Sequence, residues 1–177
     1  MSKNLIYKLS ISDGKKELYS SNLSFNEVAD LISSADDSLI NEKLFQCAAS
    51  HPSETVRENV AHKDNINEET WEILSEDNSI NVLRRLVNSD PCKRNASQNQ
   101  LENWIKMDIE IARNIANNLD RYENVDIDAL AKILSEHSDP SVVAEIASNS
   151  SIPKKYLKNL TKNIDPQVAN NANRSLE

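Results

Sequence analysis

Apolar and polar positions change rhythm once along the chain. Between residues 4 and 21 the period is two: Leu5, Tyr7, Leu9 and Ile11 alternate with Ile6, Lys8 and Ser10, and after Asp13-Gly14 come Leu18 and Tyr19. Alternation on both sides of an Asp-Gly pair predicts a β-hairpin with a type I′ turn, and the only glycine of the chain stands where φ > 0 is needed. A lone hairpin is marginal in water, so it is expected to cover the open end of the structure that follows.

From about residue 23 the period is helical, and it recurs. Five segments align: Ser53 with Val56, Val60 and Ala61; Ser79 with Val82, Leu86 and Val87; Asp108 with Ile111, Ile115 and Ala116; Asp139 with Val142, Ile146 and Ala147; Asp165 with Val168 and Ala172. Each opens on a residue suited to an N-cap and places apolar residues one helical turn apart, which is one narrow buried stripe. Pro140 and Pro166 fall at the first helical position, where the missing N–H costs nothing. Asn88, Asn117, Asn149 and Asn173 lie near the predicted ends, where asparagine in the left-handed region replaces glycine as a stop. Between these helices runs a second motif, an apolar residue and a cap followed by two apolar positions: Val28 and Leu31, Trp71 and Leu74, Leu101 and Trp104, Leu130 and Ile133, Leu157 and Leu160. The unit is helix, short turn, helix.

The anchors at 56, 82, 111, 142 and 168 are 26 to 31 residues apart, a period that signals stacked repeats. The expected fold is all-α, a right-handed α-solenoid of about five short helix pairs with an N-terminal β-hairpin cap. The hairpin occupies residues 1–22 and the repeat domain 23–177, with residues 37–50 as an atypical first unit.

Composition narrows the chemistry. With one glycine in 177 residues, glycine-rich phosphate loops and nucleophile elbows are excluded. The two cysteines, Cys47 and Cys92, are far apart, which suits a reduced, cytoplasmic protein. No signal peptide is expected, and no apolar run approaches membrane-spanning length. Among His51, His62 and His137, only His51 has a neighbouring ligand type, Cys47 four residues earlier. A zinc site needs about four ligands, so no metal is expected. The acidic stretch from Asp120 to Asp128 lacks the glycine and terminal glutamate of a calcium loop. Trp71 and Trp104 occupy core slots. No catalytic constellation stands out, and neither an enzyme nor a cofactor is expected.

The most regular stretch runs Asp139-Pro140-Ser141-Val142, Ile146-Ala147, Asn149, Ile152-Pro153, Leu157 and Leu160; with Val56-Arg57 and Val60-Ala61 it resembles the leucine-rich repeat variant family, a bacterial relative of HEAT-like helical repeats. The resemblance covers about residues 50–175. It implies a helical solenoid whose longer units carry loop insertions at 90–96 and 119–124. The founding member's cysteine-rich iron–sulfur segment has no counterpart here, because four cysteines are needed and two exist.

Charge supplies the functional expectation. The chain carries 28 acidic and 20 basic side chains, net −8, and successive segments 1–50, 51–92, 93–150 and 151–177 carry −2, −5, −4 and +3. One second helix bears Glu68, Glu69, Glu72 and Glu76, the next Asn99 and Glu102, and the last Lys154, Lys155 and Lys158. These nine residues are the candidate partner-binding set. They point to a non-catalytic protein-protein interaction module that binds a partner with a basic patch, in the manner of a stoichiometric inhibitor or immunity protein. A nucleic-acid-binding HEAT-like protein using the basic last repeat is the alternative, against which the acidic balance argues. A structural, self-assembling repeat protein is the second alternative. Monomer or weak dimer is the expected state, with no membrane association.

Overall fold

The computed structural model describes residues 5–177. Its described residues form a two-stranded antiparallel sheet followed by twelve α-helices. Strand β1 (Lys8–Ser12) pairs with β2 (Glu17–Asn22) through Leu9 opposite Ser21 and Ile11 opposite Tyr19. The connection is not the two-residue turn the Asp-Gly pair predicts. Four residues lie between the strands, only Gly14 has a positive φ, at 85°, and the Asp13 carboxylate accepts from the amides of Lys15 and Lys16. Those two bonds hold the carboxyl of Asp13 below its ordinary range. The register slips between Ile11 and Ser12, leaving Leu18 as the extra residue of a bulge on β2.

The chain falls into two compact units, Met1–Pro91 and Cys92–Glu177. The first contains α1 (Phe25–Ser34), a 3-10 turn (Leu39–Asn41), α2 (Glu42–Ala48), α3 (Glu54–Ala61), α4 (Glu68–Ser75) and α5 (Ile80–Leu86). Helices α1, α3 and α5 pack in succession, with α2 and α4 against them. Helix α6 (Asp90–Asn95) holds the point of division. The second unit contains α7 (Gln98–Met107), α8 (Ile109–Asn117), a 3-10 turn (Leu119–Arg121), α9 (Ile127–Ser135), α10 (Pro140–Ser148), α11 (Lys154–Leu160) and α12 (Pro166–Leu176). There α8, α10 and α12 pack in succession, and α9 and α11 flank them.

All five anchors, Val56, Val82, Ile111, Val142 and Val168, are buried, as are their partners one turn on, Val60, Leu86, Ile115, Ile146 and Ala172. Burying a branched aliphatic side chain contributes about 1.5–3 kcal/mol, so this stripe is a substantial part of the core energy. In the second motif two of the five assignments move by one residue. Ile32 is buried where Leu31 is expected, and Leu134 where Ile133 is expected. At both places the inward partner sits four residues on, whereas α4, α7 and α11 use three; a period of 3.6 admits either. Trp71 and Trp104 lie in the core.

The inserted segments are more ordered than loops. Residues 90–95 form α6, and 119–121 form the 3-10 turn, whose Leu119 and following Tyr122 are buried. The asparagine stops work by another route than the one expected. No described residue other than Gly14 has a positive φ. Asn88, and Asn118 one residue beyond the expected Asn117, instead donate their side-chain amides to the carbonyls of Arg84 and Asn114 four residues back. Carbonyls orphaned at a helix end are satisfied without a left-handed residue. Asn173 is not an end at all, since α12 runs on to Leu176.

Candidate interaction surface

Helix α4 forms because Asn67 caps it, accepting from the Thr70 amide at 2.9 Å, and because Trp71 and Leu74 face inward. The other side of the helix is left for Glu68, Glu69, Glu72 and, at the C-cap, Glu76, all exposed. Glu69 accepts from Gln46 of α2. Among the described residues, Glu68, Glu72 and Glu76 pair with no cation. Glu68 and Glu69 in the first turn complement the helix dipole, whereas Glu72 and Glu76 lie toward the end where a negative charge is unfavourable. The first unit bears most of the charge, −7 for residues 1–91.

The remaining candidates lie in the second unit. Asn99 is exposed on α7, and Glu102 is half-buried and accepts from Gln98 at 2.7 Å. Lys154 and Lys158 are exposed on α11. Lys155 is engaged: its ammonium lies 2.6 Å from Asp128 and 4.9 Å from the Tyr156 ring centroid. Asp128 also accepts from the Tyr156 hydroxyl at 2.9 Å, and the Lys155 and Tyr156 bonds hold its carboxyl low.

Several polar residues that motif reading passes over tie successive helices together. Asp77, 6% exposed at the side chain, takes the Arg57 guanidinium on both oxygens, at 2.5 and 3.1 Å, and accepts from the Ser79 amide. Arg57 reaches on to the His51 carbonyl at 2.8 Å. Asn59 donates to Ala29, Asn149 to Ala116 and Asn171 to Ala144, each bridging a helix to the preceding member of its row. The residue two before an N-cap accepts from the cap's amide in four of the five segments, through His51, Asp77, His137 and Asn163 at 2.8 to 3.0 Å. That recurrence is visible in the sequence only as a polar residue of changing type.

His51 is buried rather than at the surface, with Tyr7 and Phe25 edge-on to its ring at 5.5 and 4.8 Å. Desolvation, followed by the nearby Arg57 charge, lowers its pKa. Desolvation likewise pushes the Tyr7 phenol and the Cys92 thiol up to about 12, which leaves both uncharged. Cys47 is half-buried. Among the described residues no three His, Cys, Asp or Glu side chains gather as a metal-binding group.

A cleft of about 140 Å³ opens on the row α1, α3 and α5, lined by Ser33, Glu58, Asn59, His62, Lys63 and Arg85. Lys63 is buried beside it; its ammonium donates to the carbonyls of Ser33 and Ala35 at 3.2 and 2.8 Å and lies 5.4 Å from the Phe45 ring centroid. The cation thus closes the C-terminal end of α1. Desolvation and then Glu54 raise the pKa of Glu58.

No described helix is long and apolar enough to cross a membrane. Compared with protein-family models, curated proteins and solved structures, the chain matches none.

Proposed function

We propose that this chain is a non-catalytic protein-binding module whose acidic helix α4 meets a basic patch on its partner. Its helices would form a right-handed solenoid of the leucine-rich repeat variant, HEAT-like kind, with the hairpin as its N-terminal cap. The two rows of successive helices support that architecture, as do the cross-links from Asn59, Asn149 and Asn171, which span 27 to 33 residues, close to the repeat period.

The observation that carries the function is the state of α4. It exposes four carboxylates on one short helix, and two of them stand where the helix dipole disfavours them. Helix stability does not account for Glu72 and Glu76; recognition of a cation does. A small acidic module of this kind suits a one-to-one inhibitor of a basic protein. The nucleic-acid reading loses ground on Lys155 of the basic last repeat, which is paired with Asp128.

The test is affinity capture from the native cell with the wild-type chain and with the triple variant Glu68→Lys, Glu69→Lys and Glu72→Lys. A basic protein retained by the first and lost by the second, in a salt-sensitive manner, is the expected result. Equal recovery by both chains, or recovery of nucleic acid alone, would sink the reading.

A further inference from the structure

The hairpin holds a surface that the acidic helix does not explain. Of the fourteen large apolar residues exposed on the described chain, ten lie between Leu5 and Ile40. Leu9, Ile11 and Tyr19 share one face of the sheet and are 51, 53 and 54% exposed, and every residue of β1 is exposed. The sheet has two strands only, so β1 has a free outer edge among the described residues.

The backbone shows which groups stand at that edge. Leu23 donates to the Tyr7 carbonyl at 2.8 Å, and the pair continues the register of Leu9 with Ser21 and Ile11 with Tyr19. At the other end the Asp13 amide donates to the Lys16 carbonyl. Residues 7, 9, 11 and 13 therefore turn toward β2. Alternate residues of an antiparallel strand turn opposite ways, so Lys8, Ser10 and Ser12 present their N–H and C=O groups outward, without partners among the described residues.

We infer that the β1 edge pairs with the β1 edge of a second copy of this chain, antiparallel and centred on Ser10, to give a four-stranded sheet. Three features select a second copy. First, the pattern around Ser10 is self-complementary: a two-fold axis there sets Leu9 opposite Ile11 of the second copy, on the face that also carries Tyr19. Second, Lys8, the one charge on the strand, falls opposite Ser12 of the second copy, so no like charges meet. Residues 5–22 carry +1 in a chain of −8, which makes the hairpin the place where two acidic copies approach with least repulsion. Third, the β2 edge is twisted away by the bulge at Leu18, which leaves β1 as the flatter template. In this register Ser10 exchanges both backbone bonds with its counterpart, and Lys8 does the same with Ser12. The contact is smaller than the ~1,200–2,000 Å² of a standard interface, so association is weak, with a dissociation constant of about micromolar or above. Helix α4 takes no part, and the two proposals fail independently.

Sedimentation velocity on the full chain from about 10 µM to about 1 mM reads the outcome. The wild-type mass is expected to rise toward twice the monomer. Ser10→Pro removes an N–H from the free edge only, where proline is tolerated; it should stay monomeric with the helical circular dichroism unchanged. Ile11→Lys, an exposed substitution, should do the same. In a Cys47→Ser background, the thiols introduced by Ser10→Cys should be joined by a short bismaleimide, because directly opposite Cα atoms in a hydrogen-bonded pair lie about 5.5 Å apart. A wild-type chain monomeric throughout, a Ser10→Pro chain that dimerises as well as wild type, or no cross-link at residue 10 would overturn the inference.

Discussion

Single residues hold much of what joins one helix to the next. His51 stands between the hairpin and the body, neutral and edge-on to Tyr7 and Phe25, with its Nδ1 accepting from the Ser53 amide. Its folded pKa is lowered, so as pH falls through about 6.5 the unfolded chain takes up a proton first. The stability that His51 contributes is complete above that pH and declines below it. The fall in unfolding free energy between about pH 7.5 and about pH 5 should therefore be smaller in His51→Gln than in wild type; equal slopes in urea titrations would refute this. Asp77 is a second such point, since it binds Arg57 and the Ser79 amide together. Asp77→Ala leaves a half-buried guanidinium and an amide without their acceptor, and should cost about 1–3 kcal/mol in the same titration.

At the scale of elements, the binding role proposed for α4 can be tested apart from its stability. Glu76 occupies its C-cap, where a cation is favoured by about 0.3–1 kcal/mol. Glu76→Lys should raise or maintain the melting temperature while weakening capture of a basic partner. A lower melting temperature, or unchanged capture, would count against the role assigned to that carboxylate. The helices themselves were largely legible as periodicity, because one stripe of aliphatic residues and a polar cap specify a short amphipathic helix. The candidate glutamates were legible as well, being whatever the stripe leaves outside. The engagement of Lys155 by Asp128 and the burial of Lys63 were not, because each depends on groups about 30 residues away on another helix.

For the whole molecule, the division into two units gives a direct expectation. The second unit has its own buried set, with Leu101, Ile111, Ile115, Leu130, Leu134 and Ile146 all inaccessible. A fragment of residues 92–177, the second unit itself, should be helical by circular dichroism and melt cooperatively. A coil-like spectrum would show that this core needs the first unit. The charge is likewise uneven, at −7 in the first unit and −1 in the second, so the salt dependence of partner capture should follow residues 1–91.

Local chemistry was enough to define the period, the buried stripes, the proline starts and the hairpin. Each depends on side chains within one or two turns of the backbone, and the residue types carry that information directly. Tertiary structure decided the rest: whether Leu31 or Ile32 faces inward, that Lys63 is buried on carbonyls at the end of α1, and that Lys155 is taken up by Asp128. It also decided that the apolar face of the hairpin meets solvent. Those outcomes are set by which distant carbonyl, ring or helix arrives alongside. Packing chooses among local options of nearly equal energy, and the chain's own pattern leaves that choice open.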